Sequence, residues 1–349
     1  MGFIVQEADI NTEQETLIKI LQENRQRENY LYNNRYDWLY KKNPYGKATA
    51  WIIWDEEKNI PAGFTAVYPR KMLVKGREYI CWNCGDFSID KKYRTLGVAL
   101  KLRKEAKKYV DEGIIPFLYA HPNERMVHVH LKAKHKKIGH MHRFAFPIQI
   151  SNYLGNKSMS KLVGSVLDPI IKKAIKIKFS KVGDFENLSA KEMNFNNTYR
   201  EICEDINRDY PVIGLRDENY LNWKFKNHPI NKYKLFNYYE SNQLTGYIIY
   251  SEKKNNIYIS EIVSKTSEKF QQNLLSTFVN FCVTSGQDIN AMSLVVQEYH
   301  PLIPVLKNIG FRFRSDATSD VIAYCANSGL KNLVEDGRNW FMTVGDRDA

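Results

Sequence analysis

Few cysteines and no long apolar run set the first limits on this 349-residue chain. It has five cysteines: Cys81, Cys84, Cys203, Cys282 and Cys325. Only Cys81 and Cys84 are close together, as Cys-x-x-Cys, and no second Cys or Cys/His pair follows at a spacing zinc uses. Their surroundings, "REYICWNCGDFSID", read as a strand, on which positions three apart face opposite sides. Two unlinked thiols in a reducing cytoplasm are therefore expected, and no metal. There is no run of 18 apolar residues, which excludes a membrane-spanning helix. The N-terminus lacks the basic and apolar halves of a secretion signal. It begins Met-Gly, but Glu7, Ala8 and Asp9 follow where a myristoylation pattern would differ. Neither phosphate-binding glycine signature is present, whether Gly-x-x-x-x-Gly-Lys-Ser/Thr or Gly-x-Gly-x-x-Gly.

What is present is a core-forming composition, 43% hydrophobic and 13% aromatic, with a net charge of +12. Such a charge suits an anionic ligand, a nucleic acid or an anionic membrane; a lysine-rich background composition gives the same number.

Two halves stand either side of a different segment. In residues 1–150, "ATAWIIW" (48–54) and "PAGFTAVYP" (61–69) read as strands around a turn. "EYICWNCGDFSID" (78–90) is a longer strand, and a helix runs from Thr95 to Asp111. "IIPFLYAHP" (114–122) is a buried strand, and Asn123 to Lys134 reads as one more helix. Strand-helix-strand order implies a mixed sheet with a parallel pair. Residues 153–182 carry seven lysines among aliphatic residues, with acid nearly absent. Leu162, Val166, Ile170, Ala174 and Ile177 recur at helical spacing, and Pro169 should break or restart that helix. It reads as a connecting helix packed on a domain, or as a basic amphipathic helix at an anionic membrane surface. Lysine and aromatic residues do not interleave there, which disfavours nucleic-acid binding by stacking. The second half, 195–349, repeats the first. "WLYKKNP" (Trp38–Pro44) answers "WKFKNHP" (Trp223–Pro229), a strand pair across a glycine follows each (Gly63, Gly246), and His121-Pro122 answers His300-Pro301.

The helix after Thr95 has an unusual first turn. Ala99, Leu102, Ala106 and Tyr109 form an ordinary apolar stripe. Gly97, however, costs about 1 kcal/mol of helix stability against alanine. Such a residue suits a place where something approaches the backbone. A first helical turn has unpaired amides and partial positive charge, a ready site for phosphate. Arg94, Lys91 and Lys92 add attraction.

Arg94-Thr95-Leu96-Gly97-Val98-Ala99 directly after a strand resembles the acyl-CoA pyrophosphate loop of the GNAT acetyltransferases, Gln/Arg-x-x-Gly-x-Gly/Ala. "GDFSIDKKYR" resembles the strand end and connection that precede it. In that family an Asn follows the next strand, a Tyr comes seven residues later, and Gly-Phe four beyond. Here Asn123 is followed by His130 and by Lys134-His135. The second half has Gly310-Phe311, but its helix opening, "SEKFQQNLL", has no such loop. "WFMTVGDRD" (Trp340–Asp348) and "ENYLNWKFKNHP" look like elements of tandem GNAT proteins found with bacterial surface-polysaccharide genes.

The resemblance implies an α/β (α+β) protein of two tandem GNAT-like domains, each a mixed, mostly antiparallel sheet flanked by helices. The first is 1–150 with the acyl-CoA loop, then a basic helical linker at 151–194, then a degenerate domain at 195–349. It implies transfer of an acetyl group from acetyl-CoA to an amine of a small molecule or sugar precursor, by direct attack. Arg94 to Ala99 would hold the pyrophosphate, a backbone amide among Phe87, Ser88 and Ile89 would polarise the thioester carbonyl, and Asn123 would touch the pantetheine arm or cap a helix. His130 stands where the family's general-acid Tyr stands. Asp86 is the first candidate base and Glu124 the second; Asp86 also reads as a carboxylate pairing with Lys91 or fixing a turn. A cytoplasmic protein is expected, with 157–181 a candidate contact with the inner face of the membrane. Two other readings are a non-catalytic tandem module binding membrane or nucleic acid, and an aminoacyl transferase of the peptidoglycan-bridge type. The latter enzymes lack a pyrophosphate loop, so Arg94–Ala99 argues against it.

Overall fold

The structure, a computed structural model, describes residues 2–25, 31–149, 158–179, 183–286 and 288–347, with backbone alone for 158–165 and 317–318. Residues 150–157 and 180–182 of the basic segment, and Asp348, lie outside these.

The first half runs β1 (Phe3–Ala8), α1 (Gln14–Asn24), α2 (Tyr32–Tyr36), β2 (Thr49–Asp55), β3 (Ile60–Val74), β4 (Arg77–Ile89), α3 (Leu96–Asp111), β5 (Leu118–Ala120), α4 (Glu124–Lys132) and β6 (Lys136–Pro147). The connector is α5 (Ser158–Lys178). The second half runs β7 (Asp184–Ser189), α6 (Asn197–Asp209), β8 (Val212–Gly214), α7 (Glu218–Leu221), β9 (Lys234–Glu240), β10 (Gln243–Lys253), β11 (Asn256–Ser264), α8 (Glu268–Thr284), β12 (Ala291–Gln297), α9 (Leu302–Ile309), β13 (Arg312–Tyr324), α10 (Ser328–Val334) and β14 (Trp340–Phe341).

The strands form one sheet whose main path reads β1-β2-β3-β4-β5-β13-β6-β12-β11-β10-β9-β7. The path is symmetric about its centre. Each half contributes an antiparallel meander and one parallel pair, β4 with β5 and β11 with β12. The last strands are exchanged: β5 pairs with β13 of the second half, and β12 pairs with β6 of the first. A boundary at 150 therefore divides the chain but not the sheet.

Alternation along the strands sends one set of side chains to each face. In the first half Ala50, Ile52, Phe64, Ala66 and Tyr68 meet α1 and α2, while Trp51, Ile53, Val67 and Cys84 meet α3 and α4. Cys84 lies in that second cluster and Cys81 in another, at the junction of the halves, so the two thiols do face opposite ways. Gly63 and Gly246 have one packing role in both halves. A Cβ on Gly63 would lie 2.6 Å from the Ser88 carbonyl oxygen, and one on Gly246 2.9 Å from the Ser264 Cβ.

The repeated tryptophans meet. Trp38 and Trp223 each sit in a widened helical turn and stack with ring centroids 4.6 Å apart. Each indole N–H donates to the other's carbonyl, at 2.9 and 3.0 Å. The pseudo-two-fold relation of the halves passes between them.

Two expectations for the connector are corrected. Pro169 sits inside α5 without ending it. The stripe Val166, Ile170 and Ile177 does not pack on the domain; Ile171, Ile175 and Phe179 do, within the core of the second half.

Candidate active site

β4 and β5 pair only at Trp82–Leu118, Asn83–Tyr119 and Cys84–Ala120. Beyond Cys84, β4 continues to Ile89 beside β3, while β5 ends and the chain turns into α4. The strands part there, and the edge of β4 from Gly85 to Ile89 loses its β5 neighbour. This wedge, with α3 starting just past β4, is the centre of the candidate site.

Asp86 is the extra residue of a bulge in β4: Thr65 pairs with Phe87 and Ala66 with Gly85. Phe87 turns toward α3, while Asp86 and Ser88 turn toward α1 and α2. The Ser88 hydroxyl donates to the Ile20 carbonyl at 3.3 Å. Asp86 accepts from Arg25 at 2.8 Å, from Arg35 at 2.6 and 3.2 Å, and from the hydroxyls of Tyr40 and Tyr68 at 3.0 and 2.8 Å. Burial alone would raise its pKa, but Arg35 and Arg25 outweigh that and hold it far below the usual carboxylate range. This pairing speaks against Asp86 as the general base. A fully buried carboxylate saturated by two guanidinium groups has little basicity, and its partner is not Lys91. The second half supports an anchoring role. Gly246 pairs with Ser264 as Gly63 pairs with Ile89, which puts Glu261 where Asp86 stands. Glu261 is also fully buried and paired with an arginine, Arg216, at 3.3 Å.

The loop after β4 is pinned at both ends. The Asp90 side chain accepts from the Lys92 amide, and the buried Tyr93 hydroxyl donates to Asp55 at 2.7 Å. Arg94 donates through Nε to the Ile89 carbonyl at 2.9 Å and through Nη2 to Asn24 Oδ1 at 2.6 Å. It thereby ties the end of β4 to the end of α1. Thr95 caps α3: its hydroxyl takes the Val98 amide and its carbonyl the Ala99 amide. That leaves the amides of Leu96 and Gly97 as the open donors of the first turn. Both residues are exposed, no acid lies in that turn, and a Cβ on Gly97 would meet nothing within 4 Å. Val98 and Ala99 face the core. Nothing in the fold itself calls for glycine at 97.

Asn123 caps α4, its Oδ1 accepting the Met126 amide at 3.1 Å, and its exposed side chain borders the wedge. Glu124, the second candidate base, is exposed in the first turn of α4. His130 is buried, its Nδ1 2.8 Å from Nδ1 of His135. Burial, then Arg103 and His135, drive its pKa well below 6.5, so the imidazole is neutral near pH 7. That shift speaks against His130 as the donor of a proton near neutral pH, the role its place in the sequence suggests.

The sequence reading missed Arg103. It belongs to the inner face of α3 and is 1% exposed. Nη2 donates to the Thr65 hydroxyl at 2.7 Å, and the guanidinium lies 5.4 Å from the Phe87 ring centre. Nε and Nη1 have no partner among the described residues, and no carboxylate pairs with it. An arginine next to an apolar stripe looks like one more cation of a basic helix; only its burial distinguishes it. His121, at the end of β5 where the strands part, is buried, and neither ring nitrogen has a partner among the described residues. Burial, then Arg347, pushes its pKa down to about 3. The C-terminal segment closes the back of this region. The Asp346 carbonyl accepts from Asn83 and Tyr119, and its carboxylate from Arg70 and Arg216.

The second half has no counterpart of the loop. α8 opens on Ser267 and Glu268, and the acid opposes any phosphate at that turn. Among the described residues, no group of three or more His, Cys, Asp or Glu is placed to hold a metal.

A parallel strand pair that parts beside a bulge, with a helix starting just beyond, is the arrangement of the GNAT fold; both halves of the chain repeat it, and the first half alone has the open helix start. A GCN5-related N-acetyltransferase from Anabaena variabilis superposes with a TM-score of 0.65, over 93% of this chain and 73% of that one, at 13% identity. A protein of Enterococcus faecalis described as a probable N-acyltransferase gives 0.63, over 93% and 73%, at 11%. N-myristoyltransferase of Saccharomyces cerevisiae, solved with bound myristoyl-CoA, gives 0.57 over 99% and 85%, at 12%. No family sequence profile matches the chain, and no curated protein matches it in sequence. At these identities the likeness is one of fold.

Proposed function

We propose that this protein is an acyl-CoA-dependent acyltransferase that uses acetyl-CoA and transfers the acyl group to an amine of a small molecule or sugar precursor. The observation that carries the reading is the first turn of α3: two open amides, no acid and a glycine that no neighbour requires, at the exit of a parted β4–β5 pair. The pyrophosphate lies on the Leu96 and Gly97 amides, with Arg94 to Ala99 forming the loop. The pantetheine arm follows the open edge of β4, past Asn123, and a backbone amide among Phe87, Ser88 and Ile89 faces the thioester carbonyl. Attack by the amine displaces the CoA thiolate; holding both reactants in the wedge supplies much of the acceleration. Arg103 lies under Phe87 and supplies the positive charge that favours a departing thiolate. Asp86 holds α1 and α2 against the bulge rather than taking the proton, which passes to Glu124 or to water. The α1–α2 side of the bulge admits the acceptor.

The test is calorimetric titration with CoA. Binding that Gly97→Trp abolishes, in a variant with a native circular dichroism spectrum, supports the reading. Absence of binding at millimolar CoA defeats it.

A further inference from the structure

We propose that the outward face of α5 docks on an anionic lipid surface, with the helix axis parallel to it. From Val166 onward, α5 has two apolar faces. Ile171, Ile175 and Phe179 point inward to the second half, and the Lys178 ammonium donates to the Ile309 carbonyl at 3.3 Å. On the opposite side Val166, Ile170 and Ile177 are 61%, 59% and 72% exposed, among the most exposed large apolar side chains described. At 3.6 residues per turn these three fall within a sector of about 40°. Leu167, 36% exposed, widens it. A helix that only bridged two halves needs one apolar face; the second has no partner in the chain among the described residues.

Charge identifies the occupant. Lys173 and Lys176 border the stripe on one side, with Lys172 behind them. Asp168 is the only acid between Ser158 and Lys178, and it is half-buried. A basic rim beside an aliphatic strip is the pattern of a helix lying in a membrane interface, with stems and aliphatic tips in the acyl boundary and ammonium groups at anionic headgroups. A second copy of the chain would bring the same lysine rim against this one. A nucleic acid offers nothing for the aliphatic strip to enter, and α5 has no aromatic residue on which a base could stack. No described helix is long and apolar enough to cross a membrane, which fits a helix that lies on the surface.

The experiment is flotation of the full chain with vesicles of phosphatidylcholine alone, or with a third of it replaced by phosphatidylglycerol, at low and high salt. The expected result is binding to the anionic vesicles only, weakened by salt. The triple variant Val166→Ser, Ile170→Ser, Ile177→Ser and the triple variant Lys172→Gln, Lys173→Gln, Lys176→Gln each lower the partition at least tenfold. Val166, Ile170, Ile177, Lys173 and Lys176 are exposed and Lys172 is half-buried, so both variants keep a melting temperature close to that of the wild type. Failure of the wild type to bind anionic vesicles at low salt overturns the proposal, as does undiminished binding by the stripe variant. Sedimentation without lipid supplies the remaining arm: a dimer that the stripe variant dissolves assigns the stripe to a second copy and also overturns it.

Discussion

Replacing Gly97 by alanine separates what the fold needs from what a ligand needs. A Cβ there meets nothing within 4 Å, and the backbone is helical, so the variant incurs no clash. Alanine in place of a helical glycine contributes about 0.5–1 kcal/mol. Unfolding entropy of about 2.1 cal/mol/K per residue over 349 residues is about 0.7 kcal/mol/K. Without ligand the variant should therefore melt about 1 °C higher than wild type. With CoA the order reverses. At one hundred times Kd a ligand adds about 2.7 kcal/mol, or about 4 °C on this scale. A methyl group on the amide surface that receives the pyrophosphate should weaken CoA at least tenfold, which halves that shift to about 2 °C. Differential scanning fluorimetry with and without CoA reads both effects. A variant that melts lower without ligand, or keeps the full CoA shift, refutes the reasoning.

Asp86→Ala leaves Arg35 buried without its carboxylate and should cost about 3–5 kcal/mol, seen as a melting point several degrees lower; an unchanged melting point with lost turnover would instead favour Asp86 as the base. Arg103→Met removes a buried charge with one hydrogen bond, so stability should hold while acetyl-CoA turnover falls at least tenfold at unchanged CoA affinity; wild-type turnover would contradict the role given to Arg103. Burial pushes the pKa values of His121, His135 and His300 down to about 3 and lowers that of His130 as well, which holds them neutral. The unfolded chain binds these protons from about pH 6.5 downward, so stability is complete above that pH and is lost as pH falls toward 3. The slope is on the order of 1.4 kcal/mol per pH unit for each histidine, which should unfold the chain near pH 5; a native circular dichroism spectrum at pH 4 would contradict it. Trp38→Ala should cost about 3 kcal/mol or more in denaturant titration, and adding Trp223→Ala should cost far less than a second equal loss, because both act on one stack.

Some of the fold was legible because it is local. The β4 strand, the α3 stripe, the glycine in its first turn and the Asn123 cap each rest on neighbours within a few residues. The repeat was legible because Trp38 and Trp223 carry one packing role twice. The strand exchange was not: β6 and β13 alternate alike, and nothing in either segment says whether it will join β5 or β12. Asp86 misled for a related reason. Its partners Arg25 and Arg35 come from α1 and α2, 61 and 51 residues earlier, so the residue looked available when it is saturated. In α5 the periodicity found a real stripe but not its direction, because that helix has a second apolar face on the other side. Arg103 was invisible for want of any sign that a cation in a lysine-rich helix points inward.

The central claim is that the first turn of α3 receives the pyrophosphate of an acyl-CoA. A crystal structure of the protein soaked with CoA measures this directly. The account predicts pyrophosphate oxygens within hydrogen-bond distance of the Leu96 and Gly97 amides, with the pantetheine arm entering between β4 and β5. Clear density for CoA at another surface, with that turn empty, would contradict it.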